Sequence, residues 1–236
     1  MRRSNTENVT MRSLYRFLRR LYNLVLDALF PRRCPFCHTL LFSNEPYECE
    51  NCHKNLPYTN SSDICKGKYF AVCVSPLRYE GKVRDAMLDY KFHGKWYYAP
   101  IFGKHLADTV SREFSGCFDL VTWVPVSRRR LRSRGYDQSK LLTRYLCREL
   151  GIPFVRALKK CRHTPAQSLT ENAEARRSNV SGAYSAVQAK YFRGKTVLLI
   201  DDIITTGSTL SECAGVLRAA GAKAVYCATV CKDILA

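Results

Sequence analysis

No apolar run in this 236-residue chain reaches the ~18 residues that a bilayer-spanning helix requires, so no membrane span is expected. Acid is scarce: 20 Asp+Glu face 38 Lys+Arg, leaving a net charge of +18. Such an excess disfavours a basic partner and points to a polyanion, whether nucleic acid, a phosphorylated metabolite or an anionic membrane surface. A merely basic, solvated surface is the plain alternative. Internal repeats and low-complexity runs are also missing, which leaves an ordinary globular chain with room for one full-sized core and a small accessory module. A cleavable leader is not expected either. Residues 12–30, "RSLYRFLRRLYNLVLDALF", run from basic to apolar, but Asp27 breaks the apolar part and no small-x-small site follows. Leu14, Phe17, Leu18, Leu21, Val25 and Leu29 recur near helical spacing, so an amphipathic helix is expected there. It would pack on the body of the protein or lie on a membrane surface.

Twelve cysteines are present, but their placement argues against a secreted disulfide scaffold. Four form two Cys-x-x-Cys pairs, Cys34/Cys37 and Cys49/Cys52, with eleven residues between them; the other eight are scattered singly. Two such knuckles supply the four thiolates of a tetrahedral structural zinc site, and a redox dithiol is the alternative. With all four positions filled by sulfur, a metal there would hold a fold and could not activate water. The scattered thiols fit a reducing compartment, so the expected location is the cytoplasm or the inner face of its membrane. Three segments follow from composition: a tail and helix over residues 1–33, the cysteine module and a polar linker over 34–66, and a larger domain over 67–236.

In that larger domain short apolar strands alternate with longer helical stretches. Strands are expected at 70–76, 119–126, 196–203 and 224–231, and helices at 81–92, 98–113, 137–150 and 208–220. This alternation implies an α/β fold with a mainly parallel sheet flanked by helices. Ligands of such sheets collect at the carboxyl ends of the strands. At one such end stands "VLLIDDIITTGSTL", residues 197–210. Asp201 and Asp202 follow a buried strand, and the turn of Thr205, Thr206, Gly207, Ser208 and Thr209 opens a helix. Hydroxyl donors and unpaired amides at a helix start suit a phosphate; paired carboxylates just before them suit sugar hydroxyls or a magnesium ion. A simple helix cap with two surface acids accounts for one Thr or Ser of that run but not for all of it.

A second cluster is "VPVSRRRLRSRGYDQ". Ser127 precedes Arg128, Arg129, Arg130, Arg132 and Arg134, five guanidinium groups within seven residues. Their self-repulsion asks for an anion, and the planar fork of arginine matches phosphate oxygens in pairs. Pyrophosphate, a nucleic-acid backbone and solvent are the three readings. A third stretch, "YKFHGKWYY" (90–98), interleaves aromatic residues with Lys91, His93 and Lys95. It would stack single-stranded bases, or more plainly bury Phe92 and Trp96 in the core.

The acid-acid pair before a T-x-G-x-T turn resembles the phosphoribosyl-pyrophosphate motif of type I phosphoribosyltransferases. The blocks "YEGKVRDAMLDYKFHGK", "VPVSRRRLRSRGYDQSKLL" and "HTPAQSL…RRSNVSGAY" resemble the ComF family of competence proteins, over about residues 20–232. That resemblance implies the phosphoribosyltransferase type I fold with an N-terminal zinc-ribbon-like module. It also implies that Asp201 and Asp202 contact the ribose hydroxyls, as the catalytic pair of a transferase, with magnesium accompanying phosphoribosyl pyrophosphate. Thr205 through Thr209 would hold the 5′-phosphate, and Ser127, Arg128 and Arg134 the pyrophosphate. The family further implies a part in handling incoming single-stranded DNA in natural transformation, beside other DNA-uptake proteins. The alternative is a phosphoribosyltransferase acting on an acceptor the sequence does not reveal. One departure is visible: the spacing between Leu169 and Arg176 is longer than the family pattern. Arg162, His163 and Gln167 fall in the same loop, which in such transferases would close over the reacting sugar carbon.

Overall fold

The computed structural model describes Leu18 and residues 31–41, 47–161 and 182–234. Leu18 aside, the helix expected over residues 12–30 lies outside them, as does the loop of 162–179. The chain divides into two compact units, residues 1–54 and 55–236.

In the first unit, each cysteine pair sits on a tight turn. Arg33 and Leu40 bridge across the first, Cys34 N–H donates to Thr39 O at 2.9 Å, and His38 N–H donates to Cys34 O at 2.8 Å. The second leads into a short helix, α1 (Glu50–Asn55), whose start places the Cys52 amide 3.4 Å from Cys49 Sγ.

The second unit is built on one parallel sheet. Its strands are β1 (Cys73–Val74), β2 (Leu77–Arg78), β3 (Leu120–Trp123), β6 (Thr196–Ile204) and β7 (Ala224–Lys232). The order is β1-β7-β6-β3, with β2 also pairing β7, so β1 and β2 share one edge of β7 on either side of Ser75-Pro76. β6 is flanked on both edges, and Val197 through Ile200 are fully buried, which is why this strand reads as an unbroken apolar run rather than an alternating one.

Helices cover the sheet: α2 (Gly81–Phe92), α3 (Ala99–Phe114), α5 (Gln138–Leu150) and α6 (Ser208–Ala219), with the short α4 (Arg128–Arg134) before α5. α3 packs against α5 and β7, and α5 against β3 and β6. Gly103 permits the α3–α5 approach, since a Cβ there would lie 2.5 Å from Tyr145 Cβ. α6 packs on β6 and β7 through Leu210, Cys213, Ala214 and Leu217, all buried. Beside it an antiparallel ribbon of β4 (Leu158–Lys160) and β5 (Tyr184–Ala186) joins the same apolar cluster. Residues 55–66 belong to this second unit: Cys65 bridges Cys73, Tyr58 bridges Leu77, and Asp63 pairs with Arg78 at 3.1 Å and Lys232 at 3.6 Å.

Four strands and four helices fall where the periodicity places them, within a few residues. Three features differ. The arginine block, where no helix was expected, forms one, α4. Ser127 caps its start, its Oγ accepting from Arg130 N–H at 3.3 Å, and Gly135 closes it at φ +79°. β6 holds Asp201 and Asp202 within the strand rather than after it and ends at Ile204, one residue beyond the expected 196–203, because β7 supplies ladder partners along that stretch. The β4–β5 ribbon has no sequence signal beyond its shortness.

Candidate functional site

Asp201 and Asp202 occupy the last half of β6, where the strand projects toward the carboxyl edge of the sheet. Both are partly buried, and Asp201 stands opposite Thr229 of β7. Asp201 Oδ1 accepts from Ser139 Oγ at 2.8 Å and from the Asp202 amide at 2.9 Å. Asp202 Oδ1 accepts from the Ile203 amide at 2.7 Å and pairs with Lys91 Nζ at 3.0 Å. The two carboxylates are therefore unequal. Burial, aided by the charge of Asp202, pushes Asp201 up to about 7, against the opposing pull of Ser139 and Lys91. Two adjacent acids held this way destabilise an empty site and favour a ligand that brings positive charge or hydroxyl donors.

Downstream, Gly207 turns the chain from β6 into α6 at φ +70°, a left-handed conformation that favours glycine. Thr206 Oγ1 and Ser208 Oγ bond each other at 2.8 Å, while Thr205 and Thr209 face the space in front of the aspartates. α6 is 12 residues long, so its first amides lend partial positive charge to that turn.

Asp201, Asp202, Ser139, Thr205 and Thr209 line one cleft of about 460 Å³. Its cationic wall comes from three places: Arg84 and Lys91 on α2, Arg130 and Arg134 on α4, and Lys160 on β4. Arg134 stacks on Phe92, 4.8 Å from the ring centroid, and burial lowers its affinity for its proton. Lys160 donates to Tyr184 Oη at 3.1 Å; burial and then Arg130 pull its ammonium down to about 8. Three carboxylates (Asp201, Asp202 and Asp233), two hydroxyls of the turn, Thr205 and Thr209, and five cations thus converge on one space. That set suits a ligand with vicinal hydroxyls and several phosphate groups.

The helical form of the arginine block divides it. Arg130 and Arg134, one turn apart, face the carboxylate cleft. Ser127, Arg128 and Arg129 line a neighbouring groove of about 850 Å³ with Lys140, Arg156 and Lys159. Arg132 lines neither. Sequence reasoning placed Arg128 beside Arg134 in one ligand contact; a straight reading of spacing cannot see the helix that separates them. Lys91, Ser139, Lys160 and Tyr184 are site residues the sequence reading did not single out for this cleft. Lys91 lies in the noted aromatic stretch and Tyr184 ends the family-like block closing in "SGAY", while Lys160 carries no signal in the sequence. In that stretch Phe92, Trp96 and Tyr97 are more than half exposed, so the plain expectation of core packing for Phe92 and Trp96 does not hold. Both sit where α2 ends and a single turn leads to α3, beyond the reach of the sheet.

In the first unit, the sulfurs of Cys34, Cys37, Cys49 and Cys52 lie within 4.8 Å of one another, and none forms a disulfide. Cys37 and Cys49 sulfurs are 3.5 Å apart. This cluster could hold a metal ion with four thiolate ligands. His53 is turned to Glu48, 2.8 Å from its carboxylate.

Residues 138–234 match the phosphoribosyl transferase domain family. Competence protein F of Haemophilus influenzae is 40% identical over 104 residues, 43% of this chain and 45% of the relative. The DNA utilization protein YhgH of Escherichia coli is 32% identical over 117 residues, 49% of this chain and 50% of the relative. An amidophosphoribosyltransferase of Pseudomonas aeruginosa is 31% identical over 124 residues, 52% of this chain and 23% of that enzyme. The chain thus spans about half the length of the first two curated relatives. The matched segment contains β6, the aspartate pair and the Thr205–Thr209 turn, set in a parallel sheet with helices on its faces, and the four-cysteine cluster precedes it. Over residues 138–234 the chain thus matches a phosphoribosyl transferase domain, in the phosphoribosyltransferase type I fold, and over about half of its length it is similar to Competence protein F and YhgH.

Proposed function

We propose that the protein binds phosphoribosyl pyrophosphate with magnesium in the carboxylate cleft and works on single-stranded DNA in competence. The observation that carries the first part is the convergence of Asp201, Asp202, Thr205 and Thr209 with Arg130 and Arg134 in one cleft. In this reading Asp201 and Asp202 take the ribose hydroxyls, and the hydroxyls and amides of Thr205 to Thr209 take the 5′-phosphate. Arg130, Arg134 and Lys91 face the pyrophosphate. Magnesium fits here because a carboxyl held near 7 by burial is relieved when a cation arrives. It would neutralise pyrophosphate charge beside one of the two aspartates. The four-cysteine cluster holds zinc in this reading, as a structural ion.

The DNA-directed part draws on the names of the Haemophilus and Escherichia relatives, on the +18 charge, and on the basic groove behind α4. The exposed Phe92, Trp96 and Tyr97 add faces on which bases can stack. The protein would act in the cytoplasm or on the inner face of the membrane, beside other DNA-uptake proteins. A second reading, transfer of phosphoribose to an acceptor, is favoured by the completeness of the cleft. It needs no covalent nucleophile, since positioning and charge stabilisation of departing pyrophosphate suffice.

The test is ligand-induced stabilisation. Phosphoribosyl pyrophosphate with magnesium should raise the melting temperature by mass action, and Asp201→Asn with Asp202→Asn should abolish that rise. An equal rise in the double variant would mean that the carboxylates do not touch the ligand. Release of pyrophosphate on addition of candidate acceptors separates the transferase reading from binding alone.

A further inference from the structure

The carboxylate cleft and the basic groove are adjacent, and the lining of both includes Pro125, Val126 and Lys160. Pro125 and Val126 are backbone connections between β3 and α4. Among the described residues Lys160 is the one charged side chain common to the two linings. α4 forms the wall between them, with Arg130 and Arg134 on one side and Arg128 and Arg129 on the other.

The surroundings of Lys160 leave its charge available. Its ammonium donates to Tyr184 Oη at 3.1 Å and lies 4.9 Å from the centroid of that ring. Arg130 on α4 opposes its charge; Asp201 on β6 and the buried Cys213 on α6 favour it. No carboxylate of the described residues forms an ion pair with it, nor with Arg128, Arg129, Lys140, Arg156 or Lys159 of the groove. Among the described residues the only acid in the groove lining is Asp137, and its carboxylate already caps α5, accepting from Lys140 N–H at 3.1 Å and Val126 N–H at 3.3 Å. Among the described residues the groove is thus a basic surface whose one acid is engaged at the start of α5, and Lys160 stands at its junction with a second anion site.

We infer that Lys160 couples the two sites, so that phosphates of a nucleic-acid strand in the groove and phosphoribosyl pyrophosphate in the cleft weaken each other's binding. The inference rests on the binding reading given above. The two polyanions would lie on opposite sides of α4, and the single ammonium of Lys160 cannot serve both at once. A strand phosphate that draws Lys160 toward the groove withdraws it from the cleft. Reciprocity follows from linkage: each ligand must weaken the other by the same factor.

The experiment is calorimetric titration of the full-length protein with phosphoribosyl pyrophosphate and magnesium, alone and with saturating oligothymidylate, and then the reverse. The dissociation constant should rise about fivefold or more in both directions and then level off. Lys160→Met should weaken each ligand alone and bring the coupling factor close to one. Lys159→Met, which removes a groove cation that does not reach the cleft, should weaken the oligonucleotide and leave the coupling in place. Equal affinities with both ligands bound would overturn the coupling while leaving both binding assignments standing. A constant that rises without limit would place the strand in the cleft itself and overturn it too. Retained coupling in Lys160→Met, with the variant folded by near-ultraviolet circular dichroism, would remove Lys160 from the role. An oligonucleotide that does not bind at low salt overturns the DNA reading and the coupling together.

Discussion

Replacing Asp201 by Asn should make the unliganded protein more stable, by an amount that depends on pH. Asp201 sits near 7 in the fold, against ~4 in an unfolded chain, because burial and then Asp202 disfavour its ionised form. Between those values the native state holds a proton that the unfolded chain has released, so stability falls as pH rises from about 4 to about 7. Three units would correspond to ~4 kcal/mol. Asp201 is only partly buried and shares its field with Asp202 and Lys91, so about 2 kcal/mol is the working figure. Asn keeps the two native hydrogen bonds, since its Oδ1 can accept from Ser139 Oγ and the Asp202 amide as Asp201 Oδ1 does. Its amide then faces the cleft. For a domain of this size ~2 kcal/mol is about 4–8 °C in melting temperature. The assay is thermal denaturation of both proteins without ligand across pH 4 to 8. The variant should gain on the wild type steadily with pH, reaching its full advantage above pH 7 and none at pH 4. A variant no more stable than the wild type at pH 8 would refute the idea that this carboxylate is held in the fold at a cost.

Gently purified protein should carry about one zinc per chain by metal analysis, and Cys34→Ser or Cys52→Ser should lose the metal and loosen the cysteine unit. Metal-free wild type sinks that assignment. Because α4 splits the arginines, Arg128→Gln with Arg129→Gln should flatten the salt dependence of single-stranded DNA binding by about one unit or more, at ~0.7 per phosphate contact. The same pair should leave phosphoribosyl pyrophosphate affinity within a few-fold of wild type, whereas Arg130→Gln with Arg134→Gln should reduce it sharply; titrations of both double variants decide the matter. Gly207→Ala should cost about 1–2 kcal/mol in urea denaturation, from the left-handed backbone alone. A Cβ there would meet only ordinary contacts, Ile204 Cδ1 at 3.7 Å and Phe70 Cζ at 3.8 Å. A cost well above that range would mean the turn is more tightly packed than its geometry implies.

The sequence by itself determined whatever is encoded locally. The four buried residues before Asp201 announce a central strand, because only a strand covered on both faces tolerates such a run. Cys34, Cys37, Cys49 and Cys52 announce a thiolate cluster, because two short turns suffice to bring each pair together. The Thr205–Thr209 turn announces its helix through Gly207 and its hydroxyls. The tertiary structure decided what depends on side chains distant in sequence meeting in space. Ser139 and Lys91 reach the aspartates from α5 and α2, separated from them by 62 and more residues, and no spacing rule connects them. Lys160 and Tyr184 meet only because β4 and β5 pair as a ribbon. The division of the arginines came from one capped turn: Ser127 and Gly135 make α4 a helix, and a helix, unlike a loop, sends residues one turn apart to the same side. Charge count alone raised the expectation of a polyanion; which arginine lines which cleft was set by the helix axis and the strands it packs against.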